Sequence, residues 1–277
     1  MNINSIDLNR PQRFTQDYEK NKLSQKPAPQ FGNTNGEATR NVKVVAATSS
    51  LLGTSIVLAL LAKKQGFYLN PKTIKNTPIK DWAIFKIAKK NEPDRKLLEI
   101  EEGEIISLAT GSIAGGLAGG AIFDKKNIKA KGREALTQLA GNVLVPVGFV
   151  SGASKLYSKF EDSIVAVLPQ LSGEGKVVKF TNKFIKALPA MGITLLALGA
   201  GICTGSKVTN FINEKLFGQK QKREIKTSDF APHVDDLCLG ITLMGAKDSP
   251  VVSSITRTVP LFLAIPGYQV GKAQEKV

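Results

Sequence analysis

Four long stretches without a charged residue constrain this chain more than any other feature. Residues 44–62 and 105–123 form uncharged runs of 19 residues, and residues 135–154 and 187–206 form runs of 20. Since 22% of the residues are charged, uncharged runs of about four or five residues would be ordinary. A helix needs roughly 20 apolar residues to cross about 30 Å of hydrocarbon. The four runs therefore predict four membrane-spanning helices.

The C-terminal part of the chain predicts one or two more spans. The stretch "VDDLCLGITLMGA" is too short to cross a membrane alone, and we interpret it as a half-span or a buried helix. Residues 251–271 are long enough, but Arg257, Pro260 and Pro266 interrupt them, which predicts a broken span. The predicted fold class is all-α, a polytopic membrane helical bundle with five or six glycine-rich spans.

The chain divides into two regions by composition. Residues 1–40 are rich in Asn, Gln, Lys and Pro and cannot bury a core, which predicts a disordered basic tail. Residues 41–277 are the predicted membrane-embedded helical domain. The first apolar run begins only near Val44 and no small-residue cleavage site follows it, so we expect it to be retained as a span.

Two segments have the pattern of helices lying at the membrane surface. In residues 176–188, apolar residues and lysines fall on opposite sides of a helical wheel, which is typical of an interfacial amphipathic helix. Residues 78–90 carry Trp82 and Phe85, which suit the headgroup zone. The alternatives are a surface helix of a soluble bundle for the first segment and a helix of a small soluble cap for the second.

Glycines recur at four-residue spacing in the proposed spans. They are Gly111, Gly115 and Gly119, Gly148 and Gly152, Gly201 and Gly205, and Gly267 and Gly271. Glycines at positions i and i+4 lie on one helix face and allow a second backbone to approach closely. We therefore expect these residues to pack helices together, within one chain or against a second copy or another membrane protein.

The net charge of +15 raises the question of nucleic-acid binding. The lysines are spread over every connecting segment, without interleaved aromatic residues or a recognisable binding motif. A basic membrane protein resting on anionic lipid is the simpler interpretation, so we expect a lipid bilayer and no nucleic acid as partner. The expected location is the plasma membrane of a bacterium.

The basic residues also suggest how the chain is oriented in the membrane. They crowd the N-terminal tail, the turn at 124–134 and the segment at 207–236, which the positive-inside rule places in the cytoplasm.

No pattern of a known enzyme is present. The sequence lacks a Walker lysine motif, a nucleophile elbow, an HExxH motif and a dinucleotide fingerprint, and a single histidine excludes a His-pair metal site. Cys203 and Cys238 lie in apolar stretches, where cysteine behaves as a small hydrophobe. We expect no catalytic residue, no cofactor and no metal.

One polar cluster and one isolated charge are candidates for chemistry. Asp229, His233, Asp235 and Asp236 lie close enough in sequence to bind a cation or pass a proton, although the same residues suit the capping of a helix. Arg257 lies within an apolar segment, where it either serves a function or snorkels to water. If it is buried, we expect Asp236 to be its partner.

These patterns favour a non-enzymatic membrane component that is structural or mediates interactions. Two alternatives remain open at this point. One is a transporter or channel with a polar site near Arg257 and the His233, Asp235 and Asp236 cluster. The other is a peripheral helical bundle that inserts into membranes conditionally.

Overall fold

The computed structural model describes residues 37–66, 72, 76, 100–218, 224–234, 236 and 258–275. All regular structure in these ranges is helical, which confirms the predicted all-α class. The predicted surface helix at 78–90 and the residues Asp235, Cys238 and Arg257 lie outside the described residues.

Six α-helices have both ends described, and residues 258–263 are also helical. They are α1 (Arg40–Lys64), α2 (Glu102–Phe123), α3 (Ile128–Leu136), α4 (Val145–Ala166), α5 (Lys176–Phe217) and α6 (Ile265–Lys272). A 3-10 turn, Lys125–Asn127, joins α2 to α3, and a π-helical segment, Thr137–Leu144, joins α3 to α4 without a break. A second 3-10 helix, Thr227–His233, follows α5.

Four helices in the described part of the chain are long and apolar enough to span a membrane. They are Arg40–Lys64, Glu102–Phe123, the continuous stretch Lys125–Ala166, and Lys176–Phe217. Each contains one of the four uncharged runs. Further spans are not found among the described residues, since α6 has only 8 residues.

The helix ends follow from local sequence. The backbone N–H of Glu101 donates to Oε2 of Glu104 at 3.3 Å, and Glu102 and Glu104 lie in the first turn of α2, where carboxylates are favoured. Gly218 ends α5 with φ of 64°, a left-handed conformation that glycine adopts without strain.

The helix α5 is one unbroken element of 42 residues. At 1.5 Å per residue it is about 63 Å long. The predicted surface helix at 176–188 and the predicted fourth span are therefore consecutive parts of a single helix, with Pro189 inside it. Asn182 binds the preceding loop, because its side chain accepts from the N–H of Leu171 at 2.8 Å and donates to the carbonyl of Leu171 at 2.9 Å.

The apolar core lies between α1, α2, the stretch Lys125–Ala166 (here called the third span) and the helical residues 258–263. Leu58, Leu108, Val143 and Leu263 belong to this cluster and are buried. The core therefore draws on all four of these segments, and α5 packs on the other side of the third span, against α4 and the π-helical segment.

Candidate functional site

One row of glycines on α2 faces α1. A Cβ atom added at Gly115 would meet the carbonyl of Ser49, and one at Gly111 would meet the side chain of Val57. A Cβ at Gly119 would lie 2.7 Å from the Cβ of Ser49. The two helices run antiparallel. An added side chain would collide with backbone at Gly115 and with neighbouring side chains at Gly111 and Gly119, so the neighbours would have to shift.

A second row on α2 faces α6. A Cβ at Gly116 would meet the carbonyl of Gly267, and one at Gly267 would meet the carbonyl of Ser112. Glycine has a hydrogen where other residues have a Cβ. A Cα–H group that faces a carbonyl across a helix interface forms a weak hydrogen bond. A Cβ at Gly271 would lie 2.6 Å from the Cβ of Ala46 on α1 and 3.0 Å from the carbonyl oxygen of Gly116. Residues nearer the end of α2 contact residues nearer the end of α6, so the two helices run parallel.

Ser112 forms hydrogen bonds at the interruption of the last helix. The helical residues 258–263 end in a turn at Ala264, and α6 begins at Ile265 with Pro266 in its first turn. The Ser112 hydroxyl donates to the carbonyl of Ala264 and accepts from the N–H of Gly267, both at 3.0 Å. This fully buried hydroxyl therefore bonds both the turn residue Ala264 and the first turn of α6.

The other predicted glycines differ from each other. Gly205 packs on Gly141, and Gly201 packs on Pro146, whose Cα would lie 2.7 Å from an added Cβ. An added Cβ at Gly148 or Gly152 would meet nothing within 4 Å among the described atoms. The sequence predicted packing at both positions, but the described helices give them no neighbour.

A buried ion pair, which the sequence did not reveal, lies where α2 ends. Lys131 Nζ is 3.0 Å from Oδ2 of Asp124, and the two side chains are 0% and 5% exposed. Asn127 and Gln274 also donate to the Asp124 carboxylate, at 2.9 and 2.7 Å. Burial by itself raises the pKa of Asp124, but the hydrogen bonds from Gln274, Lys131 and Asn127 and the charge of Lys131 outweigh it. The pKa of Asp124 is therefore lowered from its ordinary value of 3.8.

The same cluster holds the C-terminal segment. Lys131 Nζ donates to the carbonyls of Gly271 and Ala273, at 2.6 and 2.9 Å. The backbone N–H of Glu275 donates to Oδ1 of Asn127 at 3.2 Å. Lys131 therefore joins the end of α2 to the end of α6, and its three donor positions all have acceptors.

Polar side chains on the third span form a hydrogen-bonded row, here called the polar ladder, which consists of Glu134, Gln138 and Asn142. Gln138 donates to Glu134 at 2.7 Å, and Asn142 donates both to Gln138 at 3.0 Å and to Asp229 at 2.8 Å. Glu134, Gln138 and Asn142 are four residues apart, which places them on one helix face. Asn142 lies eleven residues beyond Lys131, about 16 Å along a helix, so the ladder carries polarity deep into the bundle.

His233 extends this ladder to the backbone carbonyl of Asn142. An α-helical hydrogen bond to this carbonyl is impossible, because residue 146 is a proline and has no N–H. His233 Nε2 lies 2.9 Å from this carbonyl. Because a carbonyl only accepts, Nε2 carries a proton, and Nδ1 faces Asp236 at 3.7 Å.

The predicted polar cluster is thus partly brought together. Asp229 and His233 are each 1% exposed and meet at Asn142, a residue that the sequence did not single out. Asp229 also accepts from the N–H of Lys226 at 2.9 Å, so it caps the start of the 3-10 helix Thr227–His233. The described part of the chain contains no group of three His, Cys, Asp or Glu residues that could hold a metal ion. The predicted pair of Asp236 with Arg257 stays a prediction, since Arg257 is not described.

No protein-family model, curated protein or solved structure matches this chain.

Proposed function

We propose that this chain is a multi-pass integral membrane protein with a non-enzymatic role, as a structural or interaction component of the membrane. The observation that carries the proposal is the inverted distribution of polarity. Lys131, Gln138 and Asn142 are buried, whereas Phe123 and Leu196 are 67% and 75% exposed. Such a surface suits hydrocarbon, and polar residues within spans turn toward the bundle interior.

We propose six spans. The third span runs antiparallel to α2, and α5 runs antiparallel to the third span. The helices α5 and α2 therefore have the same chain direction. The helix α6 also runs parallel to α2. The shared direction of α5 and α6 supports a fifth crossing between them, which falls outside the described residues, and a sixth that ends in α6.

We also propose that the N-terminal end of α1, the 124–134 turn and the C-terminus share the cytoplasmic side. Burial lowers the pKa of Lys272, and the charges of Lys226 and Lys43 lower it further, so both lysines lie near it. Arg133 pairs with Glu275 at 3.6 Å. These contacts gather the basic residues of four segments at one end of the bundle, as the positive-inside rule requires.

The role as an interaction component is supported by an unused glycine pair. Gly148 and Gly152 have open space where a Cβ would project, while Gly201 and Gly205 contact the third span. A helix of a second copy or of another membrane protein could approach there.

Extraction of membranes with alkaline carbonate tests the proposal. An integral protein stays in the pellet, whereas a peripheral helical bundle that inserts conditionally is released into the supernatant. Release of most of the protein would contradict the proposal and favour the peripheral alternative.

A transporter or channel is the second candidate. It is favoured by the two buried ionisable residues Asp229 and His233, joined to a π-helical segment, because such segments often occur at functional sites and charged residues inside membranes are often functional. Proteoliposomes containing a pH-sensitive dye test this idea. Faster proton entry with the native chain than with Asp229→Asn would support it, and equal entry would contradict proton transport through this site.

A further inference from the structure

Two of the described helices are longer than a bilayer is thick. The third span and α5 have 42 residues each, which corresponds to about 63 Å, whereas the hydrocarbon of a membrane is about 30 Å thick. Their uncharged runs end at Ser154 and begin at Ala187. In the proposed membrane protein, residues 155–166 of α4 and 176–186 of α5 therefore continue beyond the hydrocarbon as a hairpin, here called the outer hairpin.

The outer hairpin exposes large apolar side chains next to its charges. Leu156 and Phe160 on α4 and Val177 and Phe180 on α5 are all exposed. Val177 lies ten residues before the uncharged run of α5, about 15 Å along the helix. The headgroups add only about 5–7 Å on each side of the hydrocarbon, so lipid does not cover this end of an upright helix. A protein surface suits such a mixture of apolar and charged residues better.

Acidic and basic residues lie at the same height in the outer hairpin. The helices α4 and α5 pack against each other, and Gly201 contacts Pro146 between them. Glu161 follows Pro146 by fifteen residues, and Lys186 precedes Gly201 by fifteen residues. Both charges therefore lie about 22 Å beyond this contact, on neighbouring helices.

These charges are not paired within one chain. Glu161, Asp162, Lys183 and Lys186 are exposed, and no ion pair in the described part of the chain involves any of them. Asp162 and Lys183 lie within one helical turn of the other two charges. Two copies inserted in the same orientation bring all of these residues to one height. A two-fold contact then lets the acidic pair of each copy face the two lysines of the other.

We propose that the chain associates with a second copy of itself through the outer hairpin, with Glu161 and Asp162 of each copy facing Lys183 and Lys186 of the other. The exposed apolar side chains of the two hairpins cover each other in this contact. The inference rests on the proposed function, since a bilayer fixes both copies at the same height, and it names the partner of the proposed interaction component.

Charge reversal tests the pairing. One variant carries Glu161→Lys and Asp162→Lys, and the other carries Lys183→Glu and Lys186→Glu. Full-length chains are fused to donor or acceptor fluorescent proteins, and energy transfer is measured in the membranes of cells that express both fusions. Native chains should show energy transfer. Each variant expressed only with itself should associate roughly tenfold more weakly or worse, because like charges then face each other at both contacts.

The two variants expressed together should recover the energy transfer, because every reversed charge then faces an opposite charge. A single chain with all four reversals should recover it for the same reason, and it is the control for effects of charge reversal on folding. No transfer between native chains, or undiminished transfer in either variant alone, would overturn the proposed pairing. Loss in both variants without recovery in the mixed pair would also contradict it.

Alkaline carbonate extraction of the same membranes separates this proposal from the membrane proposal. The native chain and all variants should stay in the pellet, because the changed residues lie outside the uncharged runs. A pelleted native chain without energy transfer contradicts the self-association alone. Release of the native chain contradicts the membrane location, and with it the common height on which the pairing depends.

Discussion

Lys131 Nζ lies 3.0 Å from Oδ2 of Asp124, and neither side chain has appreciable contact with solvent. The pair is surrounded by the amides of Asn127 and Gln274 and by the carbonyls of Gly271 and Ala273. Both charges therefore have their hydrogen-bonding positions filled. This pair is the main polar connection between α2, the third span and the C-terminal segment.

Removal of either partner should destabilise the protein strongly. Lys131→Met leaves the Asp124 carboxylate buried without its counter-charge, which costs about 3–5 kcal/mol in comparable buried pairs. Asp124→Leu should have a similar effect, and the double variant should recover part of the loss. Thermal unfolding in detergent measures all three. Losses that simply add in the double variant would show that the two residues are not coupled.

The stability contributed by Asp124 should depend on pH. Its pKa is lowered in the folded protein from the ordinary value of 3.8, so the folded state binds the proton less readily than the unfolded state. The contribution is then fully present above pH 3.8 and is lost as pH falls below it toward the folded pKa. The unfolding midpoint of the native chain should fall in this range more steeply than that of Asp124→Asn. Parallel profiles would contradict the assignment.

The glycine contact between α1 and α2 should not tolerate a side chain. Gly115→Leu would place its Cβ against the carbonyl of Ser49 and should cost roughly 1–3 kcal/mol, as overpacking does elsewhere. Ala114→Leu is the matched control, because Ala114 is exposed on the same helix. Unfolding in detergent should separate the two variants. Equal midpoints would show that the helices do not depend on this contact.

The carbonyl of Asn142 gives a sharper test of the polar ladder. His233→Phe removes the side-chain donor to this buried carbonyl, which should cost about 1–3 kcal/mol. His233→Gln keeps a side-chain N–H donor and should cost less. Thermal unfolding in detergent compares the two variants. Equal losses would mean that His233 does not act through this carbonyl.

The four long apolar helices could be predicted because each contains an uncharged run of 19 or 20 residues. A charge within residues 44–62 or 187–206 would have no inexpensive position in hydrocarbon, so the runs are visible without knowledge of the fold. The row at Gly111, Gly115 and Gly119 could be singled out from its spacing alone. The row that includes Gly116 has the same spacing, but its role depends on α6, which is distant in sequence.

The ion pair could not be predicted from the sequence. Lys131 is one of several basic residues in "DKKNIKAKGRE", and nothing local distinguishes it from its solvated neighbours. Its burial follows from the return of Gly271 and Ala273 to the end of α2. Asn142 was missed for a similar reason, because its partner Asp229 lies 87 positions away. Gly148 and Gly152 show the reverse. Their spacing predicted helix packing, but no described residue packs against them.

Depth-dependent fluorescence quenching in proteoliposomes tests the membrane location of the bundle most directly. A fluorophore attached at Leu196→Cys, in a chain lacking Cys203 and Cys238, would lie on the outer surface of α5, where Leu196 is 75% exposed. Lipids with a nitroxide near the middle of the acyl chain should quench it strongly, and a water-soluble nitroxide should not. Quenching by the water-soluble nitroxide alone would show that this apolar surface faces water and that the chain does not span the bilayer.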